Sequence, residues 1–249
     1  MSKPIGVQLY SVRDALAVDY VGTLHRLADM GIVGVEFAGM YGTSVSDTVR
    51  LLSDLGLRAS SMHQALPLTQ EAFDTAAAFG IDTVVCPWFP PERFTTLDSL
   101  KVVCDELNEG ERAAKAAGMR FAYHNHDFEF RPLPDGSLPY DHMLEWLSDD
   151  VLFEVDIYWV RHGGQDPAAL LNRLGQRAVL IHTKDGTGVA GDGFVALGEG
   201  IVDLPAALRA AGDTPDWLIV ELDSCATDMF DAIEKSVRYL KDHGFGHGR

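Results

Sequence analysis

The sequence predicts an α/β protein, a single (β/α)8 TIM barrel formed by residues 1–249. Eight short apolar runs rich in β-branched residues recur along the chain, as is typical of buried parallel strands. Segments of helical length separate these runs. The 249 residues also match the roughly 250 residues of a typical barrel of this class. A doubly wound open sheet is the alternative, but it requires an edge strand, and no run has that character.

The eight predicted strands follow one another at regular intervals, and the third is the most polar. Because parallel strands in a barrel are covered by helices, they should read as continuous apolar segments. The predicted strands cover residues 5–9, 33–37, 58–62, 83–87, 119–124, 152–156, 179–183 and 217–221.

Capping signals between the strands predict where helices begin and end. Ser11 and Asp14 have the spacing of a capping box and predict the start of the first helix. Asp166, followed by Pro167, predicts a later helix start, and Asp203 predicts another in the same way. Glycines suited to the left-handed turn at a helix C-terminus precede four strands: Gly31, Gly56, Gly80 and Gly118.

The composition disfavours several classes of partner. With 37 acidic and 20 basic side chains, the chain has a net charge of −17, which repels nucleic-acid phosphates and anionic lipids. The N-terminal residues lack the apolar segment of a secretory signal, and no apolar run has the roughly 20 residues needed to cross a bilayer. Cys86, Cys104 and Cys225 form no CxxC pair and are interpreted as reduced thiols. We therefore expect a cytoplasmic protein without nucleic-acid or membrane partners; a homo-oligomer stays open.

Ionisable side chains occur at the ends of six predicted strands. Functional groups of a (β/α)8 barrel lie at the C-terminal ends of its strands, so these side chains should converge. Carboxylate oxygen and imidazole nitrogen together suit one divalent ion, manganese, cobalt, magnesium or zinc. Side chains alternate along a strand, so Glu154 should point into the barrel together with Asp156. The six residues are Glu36, His63, His124, Asp156, His182 and Glu221.

Further residues near the predicted barrel mouth are candidates for substrate contact. Aromatic rings pack against the C–H faces of sugars, and polar groups bind their hydroxyls. The candidates are Gln8, Tyr10, Glu36, His63, Trp88 and Trp159. A loop, Gly198-Glu199-Gly200, precedes a predicted helix and has the form of a weak phosphate-binding motif. The acidic Glu199 and Asp203 would repel phosphate, which favours an unphosphorylated substrate.

Several phrases of the sequence resemble the xylose-isomerase-like barrels called sugar phosphate isomerases/epimerases. They are GVQLYSVRD (6–14), VGVEFAGMYG (33–42), YHNHDFEF (123–130), DIYW (156–159), HTKDG (182–186), LGEGIVDLPAAL (197–208) and IVELD (219–223). The resemblance implies one divalent metal ion held by Asp156, His182 and Glu221. The family usually has glutamate as a fourth ligand after strand five. This chain has His124 there, so the fourth ligand is His124, Glu129 or water.

The resemblance also implies removal of a proton next to a carbonyl group, through an enediolate. His126 or His124 would act as the base, Glu221 as ligand and base, and Lys184 as an oxygen-binding group or proton donor. The sequence therefore predicts an isomerase or epimerase for a sugar or keto-sugar. The His-x-His run resembles the inosose-dehydratase side of the superfamily, so a lyase acting on a keto-sugar, inosose or keto-glycoside is the alternative. An abasic-site endonuclease and a non-catalytic sugar-binding subunit are further alternatives.

Overall fold

Eight parallel strands form a closed barrel in the computed structural model, which describes residues 2–189 and 191–249. Each strand pairs with its neighbour in sequence, and the eighth pairs with the first through Ile5 and Leu218, Gly6 and Ile219, and Val7 and Val220. The predicted (β/α)8 fold is confirmed. The strands are Lys3–Gln8, Gly34–Phe37, Arg58–His63, Thr83–Cys86, Arg120–His124, Val151–Asp156, Ala178–Thr183 and Trp217–Val220.

Helices surround the barrel and connect its strands. The longest, Leu97–Ala116, lies between the fourth and fifth strands. None of the helices in the described part of the chain is long and apolar enough to cross a membrane. The α-helices are Arg13–Val18, Tyr20–Asp29, Val45–Leu55, Gln70–Phe79, Leu97–Ala116, Pro139–Trp146, Ile157–His162, Pro167–Leu174, Leu204–Ala211 and Met229–Asp242.

Most of the capping predictions are confirmed, and one is wrong. Asp166 accepts a hydrogen bond from the amide of Ala168, and Asp203 accepts one from Ala206. The four predicted glycines all have positive φ. Ser11, however, does not cap the first helix: its hydroxyl accepts a hydrogen bond from the amide of Leu222, 211 residues away. This long-range contact replaces the local capping box.

A second apolar cluster fills the lower barrel, apart from the main core between strands and helices. It contains Val85, Ala122, Val179, Leu180, Trp217 and Ile219. The Trp217 ring occupies space that glycine leaves on a neighbouring strand. A β-carbon on Gly34 would lie 2.9 Å from that ring and 2.3 Å from the carbonyl oxygen of Arg58. The barrel is therefore closed by side chains below the level of its polar groups.

Candidate active site

Four side chains from four consecutive strands meet inside the C-terminal end of the barrel. Potential ligand atoms of His124, Asp156, His182 and Glu221 all lie within 4.8 Å of one another, and all four residues are buried. The strand register explains their convergence, because Asp156 is directly opposite His182 and Ile219 is also opposite His182. The two-residue alternation then places Glu221 on the same inner face.

Lys184 is fully buried among carboxylates of this group. Its Nζ lies 3.0 Å from Oδ2 of Asp156, 2.7 Å from Oε2 of Glu221 and 2.8 Å from Oδ2 of Asp223. Burial lowers the pKa of Lys184, but these carboxylates outweigh burial and hold the pKa well above its usual value. Lys184 is therefore a buried ammonium ion. It does not pair with its neighbour Asp185, whose carboxylate has other partners.

The donor set fits a divalent cation. Oδ1 of Asp156 accepts a hydrogen bond from the amide of Trp159, while its buried Oδ2 forms an ion pair with Lys184 but no hydrogen bond. Nδ1 of His124 is likewise buried without a hydrogen bond, although Oε2 of Glu154 lies 3.1 Å away. Buried polar atoms are normally satisfied, and two carboxylates with two imidazoles form a ligand set that zinc, manganese or cobalt can use. Glu129, the alternative fourth ligand, is not part of this group.

A second group of polar side chains lies alongside these four. Oε2 of Glu154 is 2.7 Å from Nε2 of His63, 3.1 Å from Nδ1 of His124 and 3.1 Å from Nε2 of His182. Burial raises the pKa of Glu154, but His182 and His63 outweigh burial and hold the pKa well below its usual value. Glu154 was given no site role from the sequence, although alternation along its strand correctly placed it inside the barrel.

Gln8 and Glu36 lie beneath the site and do not offer surface to a substrate. Both residues have zero exposure. Oε2 of Glu36 accepts a hydrogen bond from Gln8, and Oε1 accepts one from Ser61. Oε2 also lies 2.6 Å from Nε2 of His182. Burial and these hydrogen bonds leave Gln8 and Glu36, which were expected to bind substrate, without a face open to the pocket.

An open pocket of about 460 Å³ lies above the buried group. Tyr10 and Trp88 are exposed to 41% and 49%, so their rings are available at its rim. Trp159 does not line this pocket; its ring lies 5.4 Å from Nζ of Lys184. The lining residues are Tyr10, Ala38, His63, Pro87, Trp88, His124, His126, Glu221 and Asp223. The volume is within the range of small-molecule sites.

Two of the three histidines of the pocket, His124 and His126, are weaker bases than their residue type suggests. Burial lowers the pKa of His124, and burial together with the nearby His124 and Lys184 lowers the pKa of His126 to about 2. Glu221 has the opposite balance: burial raises its pKa, but Lys184 and His182 outweigh burial and keep the pKa well below its usual value. Glu221 is therefore a carboxylate that reaches the pocket, and both histidines are neutral.

Glu129 supports the loop that carries His126. Its Oε1 accepts a hydrogen bond from the hydroxyl of Tyr123 at 2.5 Å, and its Oε2 accepts one from the amide of His126 at 3.0 Å. Burial raises the pKa of Glu129 to about 8. Its position as a bridge between strand five and the following loop explains why it does not reach the other carboxylates.

We expect Glu129→Gln to remove a pH-dependent loss of stability. The pKa of Glu129 in the folded state lies above the usual 4.5, so the protonated carboxyl group stabilises the fold. Its contribution to the unfolding free energy is complete below about pH 4.5 and falls as pH rises towards 8. The wild type should lose roughly 3 kcal/mol of unfolding free energy between pH 5 and 8 through this group. Urea unfolding at both pH values tests this, with the exposed Glu109→Gln as control. Parallel pH profiles for all three proteins would contradict it.

The glycine-rich loop binds a carboxylate of its own chain. Oδ2 of Asp185 accepts hydrogen bonds from the amides of Gly198 and Gly200, and Oδ1 accepts them from Gly186 and Val202. A β-carbon on Gly200 would lie 2.1 Å from Oδ1 of Asp185. The amides that would receive a phosphate group are therefore already occupied.

The sequence and the fold both match known proteins. Residues 24–243 match the protein family described as xylose isomerase-like TIM barrel. The chain is similar to a crystal structure of a sugar phosphate isomerase/epimerase from Parabacteroides distasonis, with 28% identity, 98% of this chain and 96% of the other covered, and a TM-score of 0.81. A second such structure from the same organism has 25% identity, covers 96% of this chain and 98% of the other, and also gives a TM-score of 0.81.

One curated relative is less similar to this chain in sequence. An inosose dehydratase from Clostridium beijerinckii is 22% identical over 183 residues, which cover 65% of this chain. The match spans 59% of that relative's length.

Proposed function

The chain belongs to the xylose isomerase-like TIM barrel family, and from this premise we propose that it is a divalent-metal-dependent isomerase or epimerase for an unphosphorylated sugar or keto-sugar. The convergence of His124, Asp156, His182 and Glu221 beneath an open pocket carries the proposal. These four side chains would hold one manganese, cobalt, magnesium or zinc ion. When bound, such an ion supplies Lewis-acid stabilisation of negative charge on the substrate oxygens.

Glu221 is the side chain best suited to accept a proton from the carbon next to the carbonyl. Its Oε2 lies 2.9 Å from Nδ1 of His182 and 2.7 Å from Nζ of Lys184, which leaves Oε1 for the pocket. Lys184 and His182 keep Glu221 ionised, and an ionised carboxylate can take up a proton. Asp223 also lines the pocket and contacts Lys184, so the ammonium group fixes two acidic groups there.

His124 and His126 line the pocket as neutral groups. A neutral imidazole carries one N–H and one lone pair, so His126 can orient a substrate hydroxyl as donor or acceptor. Its pKa of about 2 makes it a poor base, which moves the role of proton acceptor from His126 to Glu221. The aromatic faces of Tyr10 and Trp88 can pack against the C–H face of a sugar ring.

Two observations favour an unphosphorylated, non-nucleic-acid substrate. The loop amides that could bind a phosphate already bind Asp185. The net charge of −17 also disfavours a polyanionic partner.

A lyase or dehydratase is the second candidate, favoured by the similarity to an inosose dehydratase and by histidine at position 124. Proton removal is common to both reactions. If a leaving group lies β to the carbonyl, the same carbanionic intermediate expels it. Return of the proton to the other face or to the neighbouring carbon gives epimerisation or isomerisation.

Deuterium exchange separates these candidates. The protein is loaded with manganese, cobalt, magnesium or zinc and incubated in D2O with unphosphorylated ketoses, inososes and keto-glycosides. We expect NMR to detect metal-dependent deuterium incorporation next to the carbonyl. This incorporation should be lost in Glu221→Gln. A deuterated epimer identifies an epimerase, and an unsaturated product identifies a lyase. Binding of sugars without exchange or product under any metal would instead support a non-catalytic sugar-binding protein.

A further inference from the structure

The two ring nitrogens of His182 face different carboxylates inside the barrel. Nδ1 lies 2.9 Å from Oε2 of Glu221, a member of the proposed metal-binding group. Nε2 lies 2.6 Å from Oε2 of Glu36, on the second strand. The ring has zero exposure.

Both nitrogens of the His182 ring face carboxyl oxygens, so these contacts alone do not select a tautomer. A metal ion held with Asp156 and Glu221 would take the lone pair of Nδ1. The ring proton would then lie on Nε2, where the Glu36 oxygen at 2.6 Å can accept it. We propose that Glu36 is a positioning residue that fixes the tautomer of His182, with Nε2 protonated and Nδ1 presented to the metal ion.

Glu36 is itself held in one orientation. Gln8 donates to Oε2 at 2.8 Å, and Ser61 donates to Oε1 at 2.6 Å. The register pairs Gln8 directly with Glu36 on adjacent strands, and Ser61 lies on the next strand. Each oxygen therefore has a fixed donor, and the carboxylate cannot rotate away from His182 without losing a buried hydrogen bond.

This arrangement gives a role to a buried carboxyl group that the proposed reaction does not otherwise use. Metal-binding histidines commonly donate their second ring N–H to a carboxylate, and loss of that carboxylate weakens metal binding about 10- to 100-fold. Glu36 reaches neither the pocket nor a substrate. Its effect on catalysis would therefore pass through the ion held by His182.

Another cation position competes with this inference. His63, His124, Glu154 and His182 also form a group whose ligand atoms lie within 4.8 Å. An ion there would bind Nε2 of His182 and displace its proton. The two arrangements thus require opposite tautomers, and they predict different metal stoichiometries.

The inference rests on the proposed metal site, and the test measures the two separately. Metal affinity is determined by competition with a chelator for the wild type, Glu36→Gln, Ser61→Ala and Asp156→Asn. Glu111→Gln is the matched control, since Glu111 is a buried glutamate of helix Leu97–Ala116 outside the site. We expect zinc or manganese affinity to fall about 10- to 100-fold in Glu36→Gln, a few-fold in Ser61→Ala and not at all in Glu111→Gln.

The tautomer is measured on the wild-type protein, so that the result does not depend on a variant's folding. Long-range ¹H–¹⁵N NMR of ¹⁵N-histidine-labelled, zinc-loaded protein should show His182 protonated at Nε2. A proton on Nδ1, equal affinities in Glu36→Gln and Glu111→Gln, or a second equivalent of metal lost in His63→Ala would overturn the inference. Metal content unchanged in Asp156→Asn would instead overturn the proposed function.

Discussion

Asp156→Asn should abolish stoichiometric metal binding and lower kcat/KM by about 10³-fold or more. A bound ion contributes several kcal/mol of transition-state stabilisation, and each 1.36 kcal/mol corresponds to a tenfold change in rate. The substitution removes the charge of a buried ligand whose Oδ2 has an ion pair with Lys184 but no hydrogen bond. Elemental analysis of the purified protein, before and after reloading, measures the effect on metal content.

Asparagine isolates the role of charge because it preserves the local helix. Asp156 is the N-cap of helix Ile157–His162 and accepts a hydrogen bond from the amide of Trp159 at 2.9 Å. Asparagine caps helices about as well as aspartate, so this bond should persist. Asp166→Asn, at the N-cap of helix Pro167–Leu174, is the matched control and should retain metal and activity. Full metal content in Asp156→Asn would rule out the proposed site.

Lys184→Met should destabilise the metal-free protein by about 3–5 kcal/mol. Removal of one partner from a buried ion cluster leaves the others uncompensated, and here Asp156 and Glu221 would both lose the ammonium group. Methionine retains most of the side-chain volume, so the cost is chiefly electrostatic. A divalent ion supplies positive charge to the same carboxylates, so saturating metal should restore more stability to Lys184→Met than to the wild type.

Urea unfolding with and without metal measures this difference. Lys115→Met is the control: Lys115 pairs with Asp150 at 2.6 Å, but its side chain is 67% exposed. Exposed ion pairs contribute little, so the stability of the control should be close to that of the wild type. An equally small change in Lys184→Met would show that the buried cluster does not depend on this charge.

The barrel was predictable from the sequence because its signals are local and repeated. Apolar strand runs and C-terminal glycines recur, and each predicted strand lies within two residues of the observed one. The unusual polarity of the third strand also has a reason, since Ser61 points inward and donates to Glu36. Ser11 could not be assigned from local spacing, because its partner Leu222 is distant in sequence.

The sequence indicated which side chains of the candidate site point into the barrel, but not how deeply each is buried. Alternation along a strand identifies the inward face, which placed Asp156, His182 and Glu221 together. It does not give depth within the barrel, so Glu36 was expected to contact substrate, although it is fully buried against His182. Burial also changes basicity, which residue type alone could not show for His126.

The Trp217 ring below the site has a consequence for the order in which ligands exchange. With the ring packed against Gly34 and Gly6, apolar side chains fill the barrel below the site, and the pocket above the site opens at the C-terminal mouth. An ion bound deep in the barrel must therefore arrive before a sugar covers it and leave after the sugar has gone. A bound sugar would block the path of the ion, so a chelator should remove metal more slowly from the sugar-bound protein than from the free protein.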